Sequence, residues 1–176
     1  MRAVVIYESM YGNTRQIAEA IAEGFGDNAT TCAVAFVTDD DLAADFLVVG
    51  GPTHAHGMSR ASTRKSAEDR IRLGQAEGHM DDHADLTTGV REWLESVDLT
   101  GRTAAAFDTR MHAPSIFTGR ASKGIARRLR RAGATVIGEP TSFFVTKHAE
   151  LADGELDRAR AFGASLGARL SLRSAA

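Results

Sequence analysis

The segment Ala3–Tyr7 (AVVIY) is apolar at every position, and the period changes immediately after it. A strand apolar on both faces fits only the interior of a sheet covered on both sides. From Thr14 to Phe25, Ile17, Ala18, Ile21, Ala22 and Phe25 recur at helical spacing, with Arg15, Gln16, Glu19 and Glu23 opposite them. A buried strand feeding an amphipathic helix is the opening of a βαβ unit, and the pattern repeats. Thr30–Val37 reads as a second strand, Asp39–Asp41 as a turn or short helix start, and Asp45–Gly50 as a third strand. Leu86–Val97 predicts a helix, Arg102–Phe107 a fourth strand, and Thr118–Ala132 a helix with Ile125, Leu129 and Ala132 facing in. Ala134–Gly138 and Thr141–Val145 predict a fifth strand broken near Pro140. Gly154–Leu172 closes as a helix, with Leu156, Ala159, Phe162, Leu166 and Leu170 inward. Strict alternation predicts an α/β three-layer sandwich with a five-stranded parallel sheet.

At 176 residues the chain fits a single domain over 1–176. One long segment, 52–85, holds most of the histidines and shows no steady period, so it is expected to be irregular and functional. The net charge of -2 argues against a nucleic-acid binder. The single cysteine, Cys32, excludes an internal disulfide and any multi-cysteine metal site. No run approaches the roughly 20 apolar residues of a membrane helix, and the first apolar run is too short for a signal peptide. A cytoplasmic protein without membrane contact is expected.

Ligands in such folds sit at the carboxyl ends of the strands. Three loops leave those ends: Glu8–Asn13, Gly51–Ser59 and Asp108–Phe117. The first opens onto a helix N-terminus and is rich in hydroxyl and small residues. Backbone N–H groups and the helix dipole converge there, which is the making of an anion site. Ser9, Asn13 and Thr14 offer side-chain donors, Met10, Tyr11 and Gly12 offer N–H groups, and Gly12 permits close approach. The bland alternative is a capped strand–helix turn without a ligand. The loop lacks the Gly-x4-Gly-Lys-Ser/Thr and Gly-x-Gly-x-x-Gly patterns, which argues against a nucleoside triphosphatase and against NAD bound in the Rossmann manner. Its length suits one phosphate better than a pyrophosphate.

Val5, Ile6, Tyr7, Ser9, Gly12, Thr14, Ala18 and Ile21 together resemble the signature of the flavodoxin family. Two further stretches support the resemblance: Gly50-Gly51-Pro52-Thr53-His54-Ala55-His56-Gly57, similar to the family's Gly-x-Pro-Thr loop, and Phe107-Asp108-Thr109-Arg110 after strand four. The resemblance implies strand order 2-1-3-4-5 and FMN as cofactor. It places the phosphate on residues 9–14 and the flavin ring between Pro52, Thr53, His54, Ala55, His56 and Gly57 on one side and Asp108, Thr109 and Arg110 on the other. It also implies an electron-transfer protein cycling its flavin through semiquinone and hydroquinone states, with a redox partner protein. An NAD(P)H-dependent FMN reductase of quinones or other small acceptors is the alternative, and a flavin-free regulatory protein is a third. Simple electron transfer requires no catalytic side chain; His54, His56 and His112 are the candidates for proton delivery in a reductase.

The chain departs from the family at the ring. Neither ring loop carries Trp or Tyr, and histidines stand there instead. A protonated histidine beside the flavin would raise its potential. His54 and His56 could also pair with His79, Asp81, Asp82 or His83 around a metal, but the spacing is poor and no metal is expected. Arg60 and Arg64 are read either as surface charges that aid solubility or pair with Asp and Glu, or as ligands of a substrate carboxylate or NAD(P)H phosphate. Arg120, Lys123, Arg127, Arg128, Arg130 and Arg131 put six cations on one helix, with no acid between Asp108 and Glu139. That helix is a candidate docking face for a partner with an acidic patch, or a solvated face and no more. Nucleic acid is not expected, and the molecule is a monomer or a homodimer.

Overall fold

The computed structural model describes residues 1–54, 57–73, 80–114, 118–146, 148 and 150–174. The elements in chain order are β1 (Ala3–Tyr7), α1 (Asn13–Phe25), β2 (Ala29–Ala33), a 3₁₀ turn (Val34–Phe36), α2 (Asp39–Leu42), β3 (Phe46–His54), β4 (Gly57–Met58), α3 (Ala61–Arg72), α4 (Val90–Ser96), β5 (Thr103–Met111), α5 (Ala121–Arg131), β6 (Thr135–Val136), β7 (Thr141–Val145) and α6 (Glu155–Ser174). The sheet runs β2-β1-β3-β5-β6, with β7 also on β5 and the short β4 antiparallel on β3. All other pairings are parallel. β6 and β7 occupy one edge position, pairing with Thr103–Ala104 and Phe107–Met111 of β5 respectively. Pro140 lies between them and has no N–H for a ladder bond. The sheet therefore has seven strands where five were expected, the two extra ones being the broken edge strand and the β4 hairpin.

Each central strand divides its side chains between two cores. Ala3, Val5 and Tyr7 pack with α1 and α6; Val4 and Ile6 pack with α4 and α5. All five residues of β1 are buried, as an apolar strand covered on both faces must be.

Three expectations need correction. Residues 52–85 are not irregular throughout: β3 runs on to His54, β4 returns along it, and α3 follows. Helix α3 escaped detection because, among its described side chains, the buried ones are Arg64 and Ala67, and no apolar stripe marks it. The second strand stops at Ala33, and the helix expected from Leu86 begins at Val90.

Candidate functional site

The sheet brings the three loops together. Glu8 N–H donates to Gly50 O at 3.0 Å, carrying the β1–β3 pairing one residue past Tyr7. Gly51 pairs with Asp108, and Pro52 with Thr109, so both ring stretches begin as strand rather than loop. Thr14 Oγ1 and Thr109 Oγ1 lie 2.8 Å apart, both buried, and join the first loop to the third. One hydroxyl of that pair must donate to the other, which leaves the second proton for another acceptor.

In the first loop, Gly12 sits at φ 84, ψ -17, a left-handed conformation that favours glycine. Ser9 Oγ accepts from Gly12 N–H at 3.1 Å, so the Ser9 hydroxyl keeps its own proton to donate. Gly12 is the N-cap of α1 and offers no side-chain acceptor to the first turn, which also contains no acid. Two other helix starts receive side-chain acceptors. Thr38 Oγ1 accepts from Asp41 N–H at the start of α2. Thr53 Oγ1 accepts from Ala121 N–H at 2.9 Å, and Asp108 Oδ2 from Ser122 N–H at 2.6 Å, at the start of α5. A 13-residue helix whose N-cap has no side chain leaves its dipole to be met by an anion from outside the helix, and the Asp81 carboxylate already stands near it, Oδ2 3.8 Å from where a Cβ on Gly12 would be.

Thr53 and Asp108 thus spend side-chain acceptors on α5 rather than facing outward. Asp108 Oδ1 and His54 Nε2 are buried without a protein partner. Burial, then the nearby Arg64, holds the His54 imidazole below its ordinary range, so His54 is neutral near pH 7. A cationic His54 tuning a flavin is therefore not what this environment supplies. Gly57 pairs with His54 in the β4 hairpin, while Ala55 and His56 lie outside the described residues, as do His79 and Phe117. Arg110 is turned back: Nη1 donates to Ala113 O at 2.6 Å and Thr118 Oγ1 at 2.9 Å, and the guanidinium stands 4.8 Å from the Phe144 ring centroid. His112 meets the same ring, centroids 4.6 Å apart. Met10 is buried, and Tyr11 and Asn13 are half-buried. Among the described residues no three metal-ligating side chains converge, and no helix is long and apolar enough to cross a membrane.

The chain matches the family model for flavodoxin over residues 5–161. It belongs to the flavodoxin family. Flavodoxins bind FMN, and the donor set fits that group: hydroxyls of Ser9 and Thr14 at an open helix N-terminus for a phosphate, and unpaired polar atoms of His54 and Asp108 at the two ring stretches. Solved flavodoxins share the fold. A flavodoxin from an archaeon is 22% identical with a TM-score of 0.63, the match covering 97% of this chain and 99% of that one. Flavodoxin 1 of Bacillus cereus is 21% identical with a TM-score of 0.60, covering 93% and 95%. The flavodoxin, WrbA-like protein of Agrobacterium tumefaciens is 20% identical with a TM-score of 0.56, covering 95% of each chain. No curated protein matches.

Several residues that brace this candidate site carry no signal in the sequence. Glu8 is buried beneath Gly51, its Oε1 accepting from Ser59 Oγ and its Oε2 from Val90 N–H at 2.9 Å. Arg64 is wholly buried, so it is neither a solubilising surface charge nor a ligand-facing one; of its readings, ion pairing with acids is the one the structure bears out. Its guanidinium reaches Glu92 at 3.1 Å, Glu8 at 3.9 Å, Ser59 Oγ at 3.1 Å and the carbonyls of Leu86 and Thr87 at 3.1 and 2.8 Å. The network ties α3 and the start of α4 to the end of β1. Burial, opposed by those hydrogen bonds and by Arg64, raises the Glu8 pKa above its ordinary value. Asp81 also reaches the first loop. Its N–H donates to Met10 O at 2.9 Å, and its side chain pairs with Arg15 at 3.4 Å.

Proposed function

We propose that the chain binds FMN and passes electrons through it to and from a redox partner protein. The observation that carries this reading is the helix N-terminus at Gly12, which has no side-chain cap and no acid in its first turn and is tied by Thr14–Thr109 to the third loop. Bound FMN would supply the one- and two-electron redox chemistry. The protein's part is binding and orientation. Ser9, Thr14 and the backbone of Met10, Tyr11 and Asn13 hold the phosphate, while Gly12, its N–H bonded to Ser9 Oγ, shapes the loop around it. Pro52, Thr53, His54 and Gly57, with Ala55 and His56, flank the ring on one side, and Asp108, Thr109 and Arg110 on the other. A neutral His54 adds no positive charge there, and Arg110 is drawn toward Phe144. The half-buried Cys32, its thiol pushed up to about 11 mainly by burial, is slow to oxidise and suits a reducing cytoplasm.

Titration of the purified protein with FMN, followed by flavin fluorescence, tests the reading. Saturable quenching that Thr14→Ala weakens is expected; fluorescence indifferent to the protein would leave a flavin-free regulatory role. Steady-state NAD(P)H oxidation with a quinone by the FMN-loaded protein alone separates the remaining classes. Slow turnover is expected of an electron carrier, and rapid turnover would make the protein a reductase.

A further inference from the structure

The helix that carries the cations, α5, is anchored at its start to the candidate ring site. The first two N–H groups of the helix are held by Thr53 and Asp108, one from each ring stretch. One turn on, Gly124 lies against Met58 of the β4 hairpin, 3.2 Å from its Sδ to the place a Cβ would take. The helix therefore starts at the ring stretches and runs away from them. Lys123, Arg127, Arg130 and Arg131 are exposed along it, the first and last about 12 Å apart at helical rise.

Neighbouring elements extend the patch. Arg91 of α4 donates to Ser59 O at 2.9 Å and Met58 O at 2.8 Å, which fixes its guanidinium beside the hairpin. After burial, the charges of Arg128 and Arg60 are the next causes that lower its pKa, so the three guanidinia share one field. Acids nearby are already engaged: Glu92 with Arg64 at 3.1 Å and Glu95 with Arg128 at 3.4 Å. Among the described residues, Arg60, Arg91, Lys123, Arg127, Arg130 and Arg131 form no ion pair. Solubility alone does not call for cations gathered on one face and anchored to the site. A chain with net charge -2 that concentrates its cations here is acidic elsewhere, so the field is directional.

We propose that the face formed by Arg60, Arg91, Lys123, Arg127 and Arg131 docks a redox protein that presents an acidic face around its own redox centre. The electron-transfer role of this docking rests on the FMN reading above; the docking itself does not. One electron leaves the partner's reduced centre and is taken up at the FMN site, and no bond forms or breaks across the interface. A nucleic acid is the poorer fit. The stretch Arg120–Arg131 has no aromatic residue for bases to stack on, and the acidic remainder of the molecule repels a long polyanion.

A small acidic iron–sulfur ferredoxin is the probe. Its binding is measured by surface plasmon resonance to the protein with and without added FMN, at about 20 mM and about 200 mM NaCl. The same is done for the double variant Arg127→Glu/Arg131→Glu, whose positions are exposed. The expected result is a dissociation constant that rises roughly tenfold or more with salt, and by a similar factor in the variant at low salt. The variant's circular dichroism and FMN affinity stay unchanged. Absence of ferredoxin binding at low salt, or equal binding by both proteins, overturns the proposal. Tighter binding of a short DNA duplex, lost in the same variant, overturns it in favour of nucleic acid. A protein that takes up no FMN defeats the functional reading, while the ferredoxin measurement still decides the docking.

Discussion

At the scale of single residues, two buried carboxylates distinguish this site. The folded chain holds the Glu8 proton more tightly than the unfolded chain does, because burial raises its pKa above the ordinary 4.5. The protonated form therefore contributes stability fully below pH 4.5, and that contribution is lost as pH rises from there through the folded value. Glu8→Gln keeps the shape and removes the titration. Wild-type stability relative to this variant is expected to fall above pH 4.5, by at most about 1.4 kcal/mol per pH unit, in urea denaturation at stepped pH. A difference constant up to neutral pH would refute it. Asp81 stands beside the candidate phosphate loop instead. Its Oδ2 is buried without a partner, 3.8 Å from where a Cβ on Gly12 would stand. An anion there opposes a bound phosphate by on the order of 1 kcal/mol. Asp81→Asn is expected to tighten FMN binding roughly fivefold by fluorescence titration, and unchanged or weaker binding would count against this account.

At the scale of elements, α1 and α6 approach each other through glycines. A Cβ on Gly163 would lie 2.0 Å from Ile21 O, and one on Gly24 1.9 Å from Arg160 O. Backbone that close to backbone cannot be relieved by a rotamer change. Gly163→Ala should cost roughly 1–3 kcal/mol, or more if the helices must part, read as a lowered thermal midpoint. Gly167→Ala on the same helix meets nothing nearer than 3.6 Å and should be neutral or slightly stabilising through helix propensity. If both variants behave alike, the glycine crossing is not what sets the helix spacing. Elements with an apolar stripe were legible in the sequence: α1, α5 and α6 fall within a few residues of their predicted spans. Helix α3 was not, because a buried arginine satisfied by Glu92, Ser59 and two carbonyls replaces the stripe that periodicity detects.

At the scale of the whole molecule, ligand binding and folding are one equilibrium. If FMN binds only the folded chain, a hundredfold excess over its dissociation constant adds about 2.7 kcal/mol. For a domain of this size that raises the thermal midpoint by roughly 5–10 °C. Differential scanning fluorimetry with FMN, and with riboflavin lacking the phosphate, measures this. An equal shift from both would deny the phosphate loop its role.

The sequence by itself determined the strand–helix alternation, the apolar central strands, the Gly12 turn into α1 and the cluster of cations on one helix. All of these follow from local periodicity and turn chemistry, which neighbours in the chain can express. Only the tertiary structure decided which polar groups face a ligand and which brace the fold. Thr53 and Asp108 look alike in sequence to Ser9 and Thr14, yet they accept from helix N–H groups 68 and 14 residues further on. Glu8 and Arg64 look like surface charges, yet they are buried against each other across 56 residues of chain. A polar side chain is satisfied by whatever the fold brings to it, and the partner's position is not written beside it.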